Sequence, residues 1–226
     1  MIPLADARGC KARRDLLRFA TLLPLVLAGC GGILPVPAQP PQLYVLHSQA
    51  SLPADLPRVT HQLLIAPPIA TGGIDTERIA LSRAPNSLDY FAGAAWTDKA
   101  PAMVQDVVIE AFEGSGKIVG IARDQVSLRA DYVLQWELRR FEADYAGGLG
   151  APTVHVAMLL RLVRMPDRVI LGERRIEQSL PAEENTVPGV VAAFGRALDA
   201  ASVELVGWTL RAMSADAASG RRAPAS

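Results

Sequence analysis

Between Asp131 and Leu180 the chain carries three long runs of alternating side chains with only short breaks, and no other part of it restricts the fold as much. In Asp131 to Tyr145, the residues Tyr132, Leu134, Trp136 and Leu138 alternate with Val133, Gln135, Glu137 and Arg139. That pattern makes a strand with one apolar face and one largely wet face. A Gly147-Gly148-Leu149-Gly150 loop follows, and Thr153 to Arg164 then puts Val154, Val156, Met158, Leu160 and Leu162 on one face. Pro166-Asp167-Arg168 turns the chain into a third run, Val169 to Leu180. Three such runs joined by turns form an antiparallel sheet whose apolar face has to be covered.

Two segments with a different period supply the cover. In Ala102 to Phe112, Val104, Val107, Val108 and Ala111 recur every three or four residues, with Asp106 and Glu110 on the other face, Pro101 at the start and Gly114 at the end. In Val190 to Met213, Val190, Val191, Phe194, Ala197, Leu198, Ala201, Leu205 and Trp208 share one face of a long helix. Shorter β-rich runs precede them at Leu43 to Leu46 and Gln62 to Ala66. Two more are expected at Arg78 to Arg83 and Leu88 to Phe91, after a Gly72-Gly73 turn and around an Ala84-Pro85-Asn86 turn. The expected fold is α+β in two layers, an antiparallel or mixed sheet covered on one face by two amphipathic helices.

Ahead of this body lies a unit of different composition. The whole chain has 23 Lys+Arg and 23 Asp+Glu in 226 residues, but the first 29 residues hold five cations (Arg8, Lys11, Arg13, Arg14, Arg18) against two anions. The remainder is mildly acidic, and so balanced a charge gives no grip on nucleic-acid phosphates. Phe19 to Gly29, FATLLPLVLAG, is an apolar stretch of 11 residues interrupted by Pro24. It has the layout of an export signal and falls short of the ~20 residues needed to cross a hydrocarbon core. Arg13-Arg14 shares the pair of a twin-arginine signal, although any basic leader makes such pairs by chance.

The leader ends in Leu27-Ala28-Gly29-Cys30, which resembles the lipobox of bacterial lipoproteins. There the cysteine thiol receives a diacylglyceryl group and becomes the mature N-terminus. Two or three acyl chains, at ~0.8 kcal/mol per buried methylene, anchor a domain stably where one does not. Residues 1–29 are thus expected to be a signal peptide and Cys30 the lipid-attachment site. Residues 30–42, with prolines at 35, 37, 40 and 41, read as a tether that reaches about 35 Å if extended as polyproline II. The folded domain is then 43–213. Residues 214–226, SADAASGRRAPAS, lack periodic apolar positions and read as a disordered tail.

Chemistry is sparse. Gly114-Ser115-Gly116-Lys117 invites a phosphate-cradling reading, but a P-loop needs glycine at 111, which is Ala, and Ser or Thr at 118, which is Ile. His47, His61 and His155 are the histidines, none within a GxSxG or HExxH signature, and His155 is expected to be a solvated strand residue. Asp106 and Glu110 stand one helical turn apart, as paired carboxylates do and as the wet face of any helix does. No Cys/His cluster has metal spacing. No catalytic residue, metal or cofactor is expected beyond the covalent lipid. Tyr90, Phe91 and Trp96 sit in what reads as an irregular segment where no core period demands aromatics, so they are either satellite core or contacts for a partner. Trp136 and Trp208 read as core.

The order of LYVL after the tether, LLIAPPIATGGIDTERIALSR, LDYFAGAAW leading into a helix, RADYVLQWELRRFEADY and VVAAFGRALDAASVELVGW resembles the auxiliary lipoproteins of ABC-type transport systems across about Leu43 to Trp208. Arg78, Arg83, Tyr90 and Trp96 match that family's arginine-rich step and aromatic stretch, with Phe91 for a second tyrosine. Leu81-Ser82 stands where members often have an aromatic before arginine. The resemblance implies a non-enzymatic component, lipid-anchored at the periplasmic face, serving an ABC permease, its ATPase and an MCE-domain protein in moving lipids or other hydrophobic molecules between membranes. Beside the resemblance, Tyr90, Phe91 and Trp96 are expected to form part of a protein contact, and several copies are expected to assemble around a partner, both as hypotheses. Gly31 is not the aspartate that retains lipoproteins in the inner membrane of enteric bacteria, which favours the outer membrane. The rivals are a structural lipoprotein that assembles an outer-membrane complex without transport, and a lipid-anchored hydrolase.

Overall fold

The computed structural model describes residues 39–123, 130–146, 148 and 150–220. The signal peptide, Cys30, most of the tether, Gly147, Leu149 and the last six residues lie outside them. From Pro40 onward the chain is one compact unit. In chain order its elements are β1 (Gln42–Tyr44), β2 (Val59–Ile65), β3 (Ile69–Ala70), β4 (Arg78–Ser82), β5 (Asp89–Trp96), α1 (Ala100–Ser115), β6 (Ile118–Ala122), β7 (Tyr132–Asp144), β8 (Thr153–Arg164), β9 (Val169–Pro181) and α2 (Val187–Gly220). Two helices on a mixed nine-stranded sheet make the expected α+β fold.

The three alternating runs pair as an antiparallel meander along their whole length, with Trp136 opposite Leu160 and Met158 opposite Ile176. The other edge of β7 takes three strands in succession, all parallel to it. β2 pairs at Leu63↔Tyr132 to Ile65↔Leu134, β3 at Ile69↔Glu137, and β4 at Leu81↔Ala143. β6 lies parallel outside β2, while β5 runs antiparallel to β4 and carries the short parallel β1 on its far edge. The sheet therefore forks beyond β7 into two wings. The fork is held where β2 ends: the Trp136 indole donates to the Ala66 carbonyl (2.7 Å) and the Gln105 amide to the Ile65 carbonyl (2.9 Å).

One irregularity keeps β7 in phase with its cover. The register shifts between Leu138 and Arg140, so Tyr132, Leu134, Trp136 and Leu138 are followed on the buried side by Phe141 and Ala143 rather than by residues 140 and 142. This is a β-bulge, one extra residue that restores the apolar face after the alternation breaks. Over that face pack Val104, Val107, Val108, Ala111 and Phe112 of α1 and Val190, Phe194, Leu198, Leu205 and Leu210 of α2, all essentially inaccessible. α2 has 34 residues and so runs about 50 Å. At the centre of the core Phe141 and Phe194 stack with ring centroids 4.6 Å apart, and Trp96 meets both at 5.8 and 5.5 Å.

Several boundaries move. The expected tail is helical as far as Gly220, because Asp216 accepts hydrogen bonds from the Tyr132 hydroxyl (2.9 Å) and from Arg164 (2.6 Å) and fastens the last turns of α2 to the sheet. The segment read as irregular after Phe91 is strand throughout, since β5 runs to Trp96 between β4 and β1. β3 and β6 were not expected: β3 is two residues long, and β6 has Gly120 at its middle, with too few side chains to show a period.

Candidate functional site

The residues with chemical potential are mostly used to hold the fold. Gly116 is the left-handed cap of α1 (φ 58°) and donates to the Glu113 carbonyl, and Lys117 reaches back to the Ala54 carbonyl at 2.6 Å. The loop follows a helix C-terminus, the negative end of the helix dipole, which is the wrong pole for a phosphate. Asp106 pairs with Arg123. Glu110 receives the Ser48 amide (2.8 Å) and lies 3.3 Å from His47 Nδ1, so of the two readings of Asp106 and Glu110 the structure has the wet helix face, whose carboxylates clamp a loop and a strand end. His61 packs edge-on against the Tyr132 ring, with centroids 5.5 Å apart. Within the described residues no group of His, Cys, Asp and Glu is arranged to hold a metal, and no helix is long and apolar enough to cross a membrane.

His155 is half-buried rather than solvated. Its Nδ1 lies 2.7 Å from Ser179 Oγ and its Nε2 lies 3.7 Å from Asp144 Oδ2. Burial lowers its pKa, Arg140 adds to the effect, and the nearby carboxylates oppose it. The row of Ser, His and Asp has the composition of a hydrolytic triad, but the His–Asp separation of 3.7 Å is beyond hydrogen-bond reach.

The three aromatics of the expected partner contact separate. Trp96 is 1 % exposed inside the Phe141–Phe194 cluster, so its side chain meets no partner, which corrects that part of the expectation. Burial follows from register: Trp96 pairs with Tyr44 on the core side of β5. Tyr90 is half-buried, with its hydroxyl donating to the Gly73 carbonyl (3.2 Å) and the Arg78 guanidinium 3.7 Å above its ring. Phe91 is half-buried against Tyr145, whose pKa is raised by burial. Phe91, Tyr145, Arg83 and Asn185 edge a surface groove of about 480 Å³. Trp136 is core as expected, whereas Trp208 is half-buried beside Arg174 and Arg211.

A broad concavity formed by described residues lies on the helix-free side of the sheet, where β7 begins and β8 ends. It has a volume of about 650 Å³, a floor of Leu64, Val133, Val163 and Ile170, and Arg161, Arg168 and Asp131 at its margins. Sequence reasoning passed over it. The signal was present in Val133, Val163 and Ile170, three apolar side chains at positions where alternation assigns water-facing residues.

A mixed sheet with two helices along one side and a shallow apolar groove on the other defines a two-layer α+β domain. Residues 44–206 match the family described as the ABC-type transport auxiliary lipoprotein component, and the chain belongs to that family. A crystal structure of protein XCC0632 from Xanthomonas campestris shares 35 % identity and a TM-score of 0.74, covering 78 % of this chain and 98 % of that one. A second solved structure, of an uncharacterised protein, has a TM-score of 0.58 at 10 % identity over 74 % of this chain and 97 % of its own, and is similar in fold alone. An uncharacterised protein of Bradyrhizobium diazoefficiens is 27 % identical over 170 residues, 75 % of this chain, and the match spans 45 % of that relative's length.

Proposed function

We propose that the chain is a lipoprotein acylated at Cys30, held at the periplasmic face of the outer membrane. There it serves as a non-enzymatic auxiliary component of an ABC/MCE system that moves lipids or other hydrophobic molecules between membranes. The observation that carries this reading is the family match, which takes in nearly the whole folded body from Tyr44 to Val206. The lipobox at Leu27-Ala28-Gly29-Cys30 supports the anchor, and Gly31 supports the outer membrane. ATP hydrolysis and permeation fall to separate chains, an ATPase and a permease, with an MCE-domain protein as the third partner and several copies of this lipoprotein as one mode of assembly. Tyr90 and Phe91, half-exposed on β5, remain the proposed protein contact.

The test has two parts. Cells fed an alkyne fatty acid are expected to label the wild-type protein and not Cys30→Ala, and labelled protein is expected in the outer-membrane fraction. Affinity capture from detergent-solubilised membranes is expected to recover a permease, an ATPase and an MCE protein. A bare, freely soluble mature protein defeats the anchor, and a labelled protein that captures none of the three defeats the transport role.

A further inference from the structure

The helix-free face is not uniform. Over most of its length the charges neutralise one another: Arg140 with Glu142 (2.8 Å), Arg139 with Glu137 (3.0 Å), Arg161 with Glu173 (2.8 Å) and Arg175 with Glu177 (2.7 Å). At the end nearest the β8–β9 turn the same face becomes apolar. Leu64, Val133, Val163 and Ile170 stand in one row across four adjacent strands, each in register with the next. At the strand spacing of about 4.8 Å the row is about 14 Å long. Leu64 and Val163 form the closed base of the groove, 3 % and 7 % exposed, and Ile170 remains 58 % exposed at its outer end.

The walls are preformed. The Met165 amide donates to the Asp131 carbonyl at 2.7 Å, the Asp131 carboxylate accepts the Gln62 amide at 2.8 Å, and Arg164 is fixed by both Asp167 (2.7 Å) and Asp216 (2.6 Å). Arg161 is held by Glu173, and Asp131 is engaged by a backbone amide. Arg168 differs from both: it is exposed at the margin, and among the described residues it has no ion-pair or hydrogen-bond partner. Among the described residues, the mouth of the groove therefore offers an uncommitted cation, Arg168, beside an apolar floor.

That chemistry selects an amphiphile over a peptide. A peptide laid along the floor brings backbone amides and carbonyls that need partners, and β2, β7 and β8 are interior strands whose own groups already pair with neighbours. An alkyl chain needs no such partners. The groove volume, about 650 Å³, lies within the span of small-molecule sites. A guanidinium at the mouth suits a phosphate. We propose that this groove takes one acyl chain of a membrane phospholipid, with the lipid phosphate at Arg168. The proposal rests on the transport reading above and names the class of molecule the domain itself handles.

The test uses the full lipoprotein in its own cells, grown on 32P-orthophosphate so that the phospholipids are labelled. A benzophenone side chain is placed at Ile170, and in separate variants at Ser179 and Glu177, which share the face but lie outside the groove. After irradiation, phospholipid label is expected on the Ile170 variant severalfold above both controls. Combining it with Arg168→Glu is expected to lower that label about tenfold, the effect of losing a charge-assisted contact. Far-UV circular dichroism matching wild type checks that each variant is folded. Equal label at all three positions, label indifferent to Arg168→Glu, or crosslinking at Ile170 to protein alone overturns the proposal. Affinity capture of the permease complex by the Arg168→Glu chain keeps the two readings apart. Capture retained with no phospholipid at Ile170 removes the groove ligand and leaves the transport role standing, whereas wild type that captures nothing removes the transport role whatever the groove holds.

Discussion

Trp96 separates a structural from a recognition role more sharply than any other residue. Its indole is 1 % exposed, packs against Phe141 and Phe194, and its Nε1–H finds no acceptor among the described residues. Replacing it with alanine empties the middle of the core, at a cost of about 3–5 kcal/mol for a buried Trp or Phe truncation, with the lost aromatic pairing included. Against a total stability of about 5–15 kcal/mol this is a large fraction. For a domain of this size each kcal/mol lowers Tm by about 2–4 °C, so Trp96→Ala is expected to lose about 6–20 °C. Trp96→Phe behaves differently. It gives up some packing but removes a buried donor that has no partner, a group that costs about 1–3 kcal/mol, so the net change is expected within about 1.5 kcal/mol. The assay is urea unfolding of the purified lipoprotein in a mild non-ionic detergent, followed by far-UV circular dichroism, beside affinity capture of the partner complex. The expected pattern is that Trp96→Phe keeps both stability and capture, while Tyr90→Ala keeps most of the stability and loses capture. A Trp96→Ala protein with an unchanged urea midpoint refutes the packing argument, and a stable Trp96→Phe protein that fails to capture partners restores Trp96 as a contact.

Three further outcomes are expected. Tyr132, with its pKa pushed up to about 12 by burial and by the Asp216 carboxylate, favours folding below pH 10, and that contribution is lost as pH rises toward 12; ultraviolet titration is expected to show one tyrosine ionising earlier in Asp216→Asn, together with a lower Tm. His155 has a lowered pKa, so its contribution to stability is present above pH ~6.5 and is lost as pH falls through the folded-state value; Arg140→Gln is expected to raise that value in an NMR titration of the imidazole, and no change rules out the arginine's part. Gly116, left-handed at φ 58° where an added Cβ has open space, is expected to lose about 1 kcal/mol as alanine, from backbone strain alone, in a urea titration.

The two layers were legible because long periodic segments carry their own evidence. β7, β8 and β9 fall within a residue of the expected runs, and both helices contain the expected ones. What escaped was set by long-range pairing. β3 is two residues long and exists because the edge of β7 is free between β2 and β4. Residues 214–220 have no apolar period, and their helix is fixed by one carboxylate meeting Arg164 and Tyr132, 52 and 84 residues away in sequence. Trp96 looked free because the strand holding it includes Ala92, Gly93, Ala94 and Ala95, too small to display alternation. Among the candidate-site residues, Tyr90 and Phe91 could be proposed from composition, but the groove could not. Its floor takes one residue from each of four strands, and only the register aligns them.

The asymmetry between the two faces bears on how the protein can evolve and be tested. On the helix side cohesion is concentrated: Phe112, Phe141, Phe194, Leu134 and Trp96 are all inaccessible, and a change at any of them acts first on folding. On the open side the ion pairs are exposed and contribute little individually, of order 0–1 kcal/mol each. Their arrangement therefore costs the fold little to alter. Their consequence is different in kind, because mutual neutralisation leaves the row from Leu64 to Ile170 and the Arg168 guanidinium, unpaired among the described residues, as the distinctive chemistry of that surface. If the groove takes the proposed acyl chain, selection on that binding can proceed at positions 168 and 170 without passing through the core, and loss of phospholipid crosslinking there with the circular dichroism of wild type reports on recognition rather than on unfolding.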